Sequence, residues 1–321
     1  MPIILSDSKT LLLEAKRLRA KRRFGQNFLI NPEIPKAIVS AMHLDPNDTV
    51  VEIGPGAGTL TEHLLYQAGH VFAVEMERDI VRTLEAKYNP SKHPLGEKLS
   101  VIVGDFLRFD PNTLIQTGQL TPPFPVVGNI PYNITTPILF HLCGEVHQSS
   151  HPWRQWVRHI TLMIQKEVAD RVVAAPGGKA YNHLSIAIQL WFDARLVLNV
   201  PPQSFYPAPK VNSAVVQLMP RLAPLYPIDD YGHFARLIRC AFAQRRKTIR
   251  NSLLGSGFAP ADILDRMFET ANDTMAKNKN HLTLSLASRA ETISIEGFAE
   301  LANAYSQINS KITKETPQDS L

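Results

Sequence analysis

Thr49-Val50-Val51-Glu52-Ile53-Gly54-Pro55-Gly56-Ala57-Gly58-Thr59-Leu60-Thr61 reads as a strand, a glycine-rich turn and the start of a helix. The β-branched run supplies the strand. Glycines let the backbone turn sharply and let a ligand approach with no Cβ in the way. Leu60, Leu64 and Leu65 make the helix rich in leucine. The helix N-terminus presents free N–H groups to whatever occupies the turn. A second apolar strand, His70-Val71-Phe72-Ala73-Val74, ends in Glu75, twenty-one residues beyond Gly54, an acid placed to hold ribose hydroxyls. Strand, turn, helix, strand and terminal acid in this order predict a βαβ nucleotide-binding unit within an α/β fold.

A third strand, Leu99-Ser100-Val101-Ile102-Val103, runs into Gly104-Asp105-Phe106. Asp105 is placed to accept a bond from an adenine amino group while Phe106 packs nearby. A fourth apolar run, Phe124-Pro125-Val126-Val127-Gly128, delivers Asn129-Ile130-Pro131-Tyr132. Groups at the carboxyl ends of successive strands are what an open α/β sheet offers a ligand at its switch point. Pro131 fixes its own φ and pushes Ile130 towards an extended conformation, so the direction of the Ile130 carbonyl is preset. Two carbonyl acceptors, from Asn129 and Ile130, and the ring of Tyr132 suit a flipped-out base bearing an exocyclic amine. A nicotinamide enzyme fits less well. Position 59 is Thr where the dinucleotide fingerprint needs its third glycine, and no hydride-acceptor site or proton donor is evident.

Composition narrows the classes. With 321 residues the chain has room for two domains and enough apolar content for a real core. The 34 lysines and arginines exceed the 29 acids only modestly, so a nucleic-acid argument rests on where the bases sit. Cys143 and Cys240 lie in apolar contexts without a C-x-x-C pairing, and read as core residues in a reducing compartment. No H-x-E spacing supports a zinc deaminase, and no metal is expected. No apolar run approaches the roughly 18 residues of a membrane span, and residues 2–5 are too short for a signal sequence.

Along the chain, residues 1–20 read as an N-terminal tail, with a basic helix over residues 11–23. A helix follows Asn31-Pro32, with Ile34, Ile38 and Met42 at helical spacing. Residues 196–200 and 213–219 alternate like paired antiparallel strands around a proline-rich loop. Residues 220–227 carry three prolines and look like an inter-domain linker; helical patterns follow to about residue 305, then a polar, frayed end. The resulting domains are 21–220 and 221–306, with a tail at 307–321. Wound as one helix, residues 234–253 place Phe234, Leu237, Ile238, Ala241, Phe242, Ile249 and Leu253 within an arc of about 160°. Arg239, Arg246, Lys247 and Arg250 share about 100° beside it. Arg245 falls on the apolar side and must snorkel or pair. No acid lies between residues 234 and 253, so these bases are expected to meet nucleic-acid phosphates.

Six segments together resemble one family. They are residues 22–29 (Arg-Arg-Phe-Gly-Gln-Asn-Phe-Leu), 51–56, 128–133, 165–168, 205–211 (Phe-Tyr-Pro-Ala-Pro-Lys-Val) and 244–250 (Gln-Arg-Arg-Lys-Thr-Ile-Arg). The Gly54/Gly56/Gly58 spacing resembles the first motif of S-adenosylmethionine methyltransferases. The whole, over roughly residues 20–305, resembles the small-subunit ribosomal RNA adenine dimethyltransferases. The resemblance implies a Rossmann-like class I methyltransferase sheet with a smaller C-terminal all-helical domain. It implies that Asn27, Leu29, Gly54, Gly56, Glu75, Asp105 and Asn129 bind S-adenosylmethionine, and that Phe205 joins Tyr132 around the target adenine, beside Asn129, Ile130 and Pro131. Two adjacent adenosines near the RNA 3′ end, a role in ribosome assembly, a cytoplasmic location and a monomer partnered by the small ribosomal subunit are the matching expectations. A large-subunit RNA methyltransferase and a non-enzymatic assembly or transcription factor on the same scaffold are the alternatives. A DNA adenine methyltransferase would usually carry a target-recognition insert, and none is visible.

Overall fold

The computed structural model describes residues 5–18, 26–277 and 283–315. It divides into two compact units, one of residues 1–143, 152–169 and 193–220, the other of residues 144–151, 170–192 and 221–321.

The first unit is built on strands β1 (Phe28–Leu29), β2 (Thr49–Ile53), β3 (His70–Glu75), β4 (Leu99–Val103), β5 (Phe124–Asn129), β6 (Val157–Gln165), β7 (Phe192–Val200), β8 (Phe205–Tyr206) and β9 (Ser213–Pro220). Seven of them form one sheet in the order β4-β3-β2-β5-β6-β9-β7, and β1 pairs with β8 in a separate ribbon. Strands β4, β3, β2, β5 and β6 run parallel, and β9 is antiparallel to β6. Chain order reverses between β2 and β5, which makes that junction the switch point where the carboxyl ends diverge. Val50, Val51, Val71, Val74, Val126, Val127, Ile160 and Leu162 are all at most 2% exposed. Strands buried on both faces read as continuous apolar runs, which is why these segments show no alternation.

Helices α1 (Ser8–Leu18), α2 (Glu33–Met42), α3 (Thr59–Gln67), α4 (Arg78–Lys87), α5 (Asn112–Gln116), α6 (Thr135–Cys143) and α7 (Pro152–Trp156) belong to the same unit. The expected N-terminal tail is therefore partly a docked helix: Leu11 and Ala15 of α1 are buried, and Lys87 Nζ donates to Glu14 Oε2 at 3.1 Å. The basic run at residues 19–25 lies outside the described residues.

Helix α8 (Lys166–Val172) leads out of β6, and the second unit holds α9 (His183–Gln189), α10 (Tyr231–Phe242), α11 (Ile249–Gly255), α12 (Ala261–Lys277) and α13 (Ile295–Glu315). Phe234, Leu237 and Ile238 of α10, Leu264 and Met267 of α12 and Phe298 and Leu301 of α13 are fully buried and form its core. The proline-rich segment begins where the chain passes from the first unit to the second at residue 220, and Arg221 N donates to Trp191 O and Leu225 N to Leu190 O, both at 2.7 Å. Two expectations are corrected here. The frayed end expected after residue 305 is helical through Glu315, held by buried Ile308 and by the Ser306 hydroxyl against His233 Nδ1 at 2.8 Å. The single helix over residues 234–253 is two helices. Thr248 turns extended (φ −63°, ψ 157°) and its side chain caps α11 by accepting from Asn251 N. Buried Ser252 Oγ then donates to Ala241 O at 3.0 Å, so α11 folds back onto the end of α10. Among the described residues no helix is long and apolar enough to cross a membrane.

Candidate active site at the carboxyl ends of the parallel strands

A cavity of about 220 Å³ opens where β2, β3, β4 and β5 end. Its floor is the glycine turn, closed by Gly54 N donating to Val74 O at 3.0 Å and Gly58 N to Pro55 O at 2.9 Å. Gly56 and Gly58 sit at φ +55° and +78°. A Cβ on Gly58 would also stand 2.8 Å from Leu84 Cδ2, so that position lacks both room and conformation for a side chain, whereas one on Gly56 would only touch the Phe28 ring at 3.4 Å and is disfavoured by its φ alone.

Glu75 ends β3 at 7% exposure, and its Oε1 accepts from Glu77 N at 2.9 Å. Burial raises its pKa above the ordinary carboxylate range, against the pull of the Glu77 and Gly56 backbone N–H groups. Asp105 follows β4 and lines the same cavity; its Oδ1 accepts from Leu107 N at 3.0 Å, which fixes the carboxylate and leaves Oδ2 for a ligand. Phe106 is held behind it by Phe109, His141 and Trp153, with ring centroids 5.8, 5.6 and 5.7 Å away.

Asn129 stands at the end of β5, and its Nδ2 donates to the Asn27 carbonyl at 3.2 Å. The amide is thereby oriented, with Oδ1 left as the acceptor. Ile130 N donates to Met163 O at 3.0 Å, and Pro131 takes φ −55°, ψ 133°, the rigid turn expected from the sequence. Tyr132 is half-buried, its hydroxyl 2.6 Å from Ser213 Oγ, and burial raises the phenol pKa against that hydrogen bond.

Asn27, Gly54, Gly56, Glu75, Asp105, Asn129, Ile130, Pro131 and Tyr132 thus meet around one cavity. Leu29 lies on a smaller neighbouring one of about 40 Å³, which shares Gly54, Gly56 and Asn129 with the first. Phe205 stands apart from these residues. It is 3% exposed, belongs to the apolar core and lines neither cavity. Successive strand residues face opposite sides, and in β8 the inward position falls to Phe205 and the outward one to Tyr206, 36% exposed.

Sequence reasoning missed Gln26, Glu77 and Glu52. Gln26 Nε2 donates to Glu77 Oε1 at 2.6 Å on the cavity wall. Glu52 lines the smaller cavity at 1% exposure and accepts from Thr61 Oγ1 at 2.7 Å. Burial pushes its pKa up to about 8, opposed by the Thr61 hydrogen bond and helped by the charge of Glu75. The signal was present: a lone acid inside a strand that is otherwise apolar must be buried too.

In the second unit, Arg239, Arg246 and Lys247 are exposed. Arg245 pairs, as its wheel position required, with Lys179 O at 2.6 Å and Glu291 Oε2 at 3.9 Å. Arg250 is bidentate to Asp265 of α12, with Nη2 donating to Oδ2 at 3.3 Å. The compensating acid absent along the chain is therefore supplied through space. His147 and His151, four residues apart, sit in a loop rather than on a helix, and no group of three metal-ligating side chains occurs among the described residues.

Comparison with known proteins agrees with this geometry. Residues 17–292 match the family model described as ribosomal RNA adenine dimethylase. The chain is 38% identical over 284 residues to the ribosomal RNA small subunit methyltransferase A of Syntrophotalea carbinolica, covering 88% of this chain and 96% of that one. It is 40% identical over 290 residues to the protein of that name from Pectobacterium atrosepticum, covering 90% and 94%. A dimethyladenosine transferase from Plasmodium falciparum superposes with a TM-score of 0.64 at 24% identity over 88% of this chain and 98% of its own, a likeness of fold. The β4-β3-β2-β5-β6-β9-β7 sheet with its helical second unit is thus a class I methyltransferase fold. With its glycine turn, strand-end acid Glu75 and Asn-Ile-Pro-Tyr edge accounted for, the chain belongs to the ribosomal RNA adenine dimethylase family.

Proposed function

We propose that this protein transfers methyl groups from S-adenosylmethionine to N6 of two adjacent adenosines near the 3′ end of small-subunit (16S) ribosomal RNA, giving N6,N6-dimethyladenosines during ribosome assembly. The observation that carries this reading is the oriented Asn129 amide. With Nδ2 committed to Asn27 O, its Oδ1 is an acceptor held beside Ile130, Pro131 and Tyr132 on the wall that faces the nucleotide cavity. The relatives named for the small subunit, matched over most of their length, favour that substrate over the large-subunit alternative.

The chain's residues fit the cofactor. The turn around Gly54 and Gly56 leaves space no Cβ occupies, Glu75 offers a buried carboxyl to ribose hydroxyls, and Asp105 Oδ2 an acceptor to an amino group. When bound, S-adenosylmethionine supplies an electrophilic methyl group on a sulfonium. The rest falls to the protein. Adenine N6 is a weak nucleophile because its lone pair is delocalised into the ring. Hydrogen bonds from N6 to Asn129 Oδ1 and the Ile130 carbonyl favour the pyramidal nitrogen that reacts, and Tyr132 holds the base in line. Neither acceptor is a base; the proton leaves for solvent once methylation has made N6 cationic and acidic. After the first transfer one N–H remains, so the second proceeds with a rotated methylamino group. Arg239, Arg246 and Lys247 meet RNA phosphates, and the protein works as a monomer in the cytoplasm, with the small ribosomal subunit as its partner.

Incubation with labelled cofactor and under-methylated small subunits, followed by mapping of the label, tests the reading. Label on two adjacent adenosines near the 3′ end is expected; label confined to large-subunit RNA, or none, would refute it.

A further inference from the structure

We propose that Tyr206, backed by Lys16, is an external stacking platform for the unpaired nucleobase next to the methylated adenosine. The inference rests on the RNA-methylation reading above and goes beyond it by naming how the strand is held outside the pocket.

The ribbon of β1 and β8 places the platform. Phe28 is paired directly with Tyr206 and Leu29 with Phe205. Directly opposed residues of an antiparallel pair share a face, so Tyr206 lies on the side of Phe28, whose ring lines the cavity. Phe28 is 6% exposed and Tyr206 36%, so the inner ring closes the cavity and the outer ring stays open to solvent. Exposing a large aromatic ring has a cost in water, and no hydrogen bond to its hydroxyl accounts for it among the described residues.

The surroundings select a nucleobase. Lys16 Nζ, in the last turn of α1, stands 5.8 Å from the centroid of the Tyr206 ring. Lys16 itself is exposed, as is Arg17 beside it. A cation held over an aromatic ring leaves the ring's other face for a base and offers its charge to the adjoining phosphate. From Tyr206 the chain runs through residues 207–212, a segment without an acid that carries exposed Lys210 and Val211. It ends at Ser213, whose hydroxyl meets Tyr132. One short segment therefore links the outer ring to the ring assigned to the target base. A strand whose adenosine enters between Asn129 and Tyr132 leaves its neighbour outside the cavity, and Tyr206 with Lys16 is the exposed ring paired with the cavity-lining Phe28. A protein partner is the other occupant such a ring would suit, but the cation over the ring and the acid-free segment favour a polyanion.

The test compares Tyr206→Ala, Tyr206→Phe and Lys16→Ala on a single-stranded RNA carrying 2-aminopurine beside the target adenosine. Wild-type protein should quench the 2-aminopurine on binding. Tyr206→Ala should lose the quench and bind this RNA at least about five-fold more weakly, the lower end of base–aromatic stacking. Tyr206→Phe should restore both, and Lys16→Ala should flatten the salt dependence by about 0.7 in log–log slope. Calorimetry of cofactor binding, expected to be unchanged, shows that Tyr206→Ala is folded. Unchanged RNA affinity and quenching in Tyr206→Ala would overturn the platform, as would a Phe variant as weak as the Ala variant. The outcome is separable from the function itself: failure of wild-type protein to methylate adenosine refutes the function, whereas the stacking readout needs no methyl transfer.

Discussion

Replacing Glu52 by Gln removes one proton-binding site from the centre of the fold while keeping an acceptor for the Thr61 hydroxyl. An ordinary glutamate titrates near 4.5, and burial lifts Glu52 to about 8. Between those values the folded protein holds a proton that the unfolded chain has released, so stability falls as pH rises through the window. The slope is ~1.4 kcal/mol per pH unit, and the full window amounts to on the order of 5 kcal/mol. From pH 5.5 to 7.5, cofactor-free wild type should lose roughly 2–3 kcal/mol more stability than Glu52→Gln. Urea unfolding followed by tryptophan fluorescence suits the measurement, because Trp153 and Trp156 both lie in the unit that holds Glu52. Other titrating groups occur in both proteins and cancel in the difference; Glu75, which feels the charge on Glu52, cancels least. Parallel stability–pH curves for the two proteins would refute the reasoning and mean that Glu52 is already ionised in the fold.

Glu75→Ala should weaken S-adenosylmethionine binding by roughly 1.5–3 kcal/mol, the cost of hydrogen bonds to a charged acceptor, with RNA affinity nearly unchanged; calorimetry with equal cofactor affinity would move the ribose contact elsewhere. Tyr132→Ala should cost about 1–3 kcal/mol of target-base binding, read as KM for the RNA. Tyr132→Phe should retain much of the activity and lose only about 1 kcal/mol of stability with the Ser213 hydrogen bond; a Phe variant as inactive as the Ala variant would exclude stacking. Neutralising Arg246 and Lys247 should flatten the slope of log RNA affinity against log salt by about 1.4–1.8, and adding Arg250→Ala should change it little, because that guanidinium is held by Asp265. Parallel salt plots for the double variant would assign the pair to a solvated face.

The nucleotide site was legible because its determinants are local in sequence. A glycine turn after a strand, an acid at the end of the next strand and Asn-Ile-Pro-Tyr at the end of another each state their geometry within a few residues, and the parallel sheet brings the ends together. The basic surface was less legible because its geometry is tertiary. Nothing between Ala243 and Lys247 forbids a helix. The chain breaks there because Ile249 and Leu253 are buried by folding back and Thr248 offers a cap, and neither fact appears on a helical wheel. Likewise the acid that takes Arg250 comes from α12, fifteen residues along. A charge count within one segment cannot see it.

Phe205 and Tyr206 show where even a correct motif stops short. The motif says that a ring belongs near the target base, but two rings are adjacent, and a strand sends neighbours to opposite faces. Which one is outward depends on the register of β8 against β1, where Leu29 and Phe205 form the pair that enters the core. A slip of one residue would exchange the two faces and bring Phe205 to the cavity side. Register is set by packing along the whole ribbon, including α1, whose Leu11 and Ala15 are buried and whose Lys16 then reaches the outer ring. The segment that sequence reading treats as a tail is thus one of the elements that fixes which aromatic ring faces solvent.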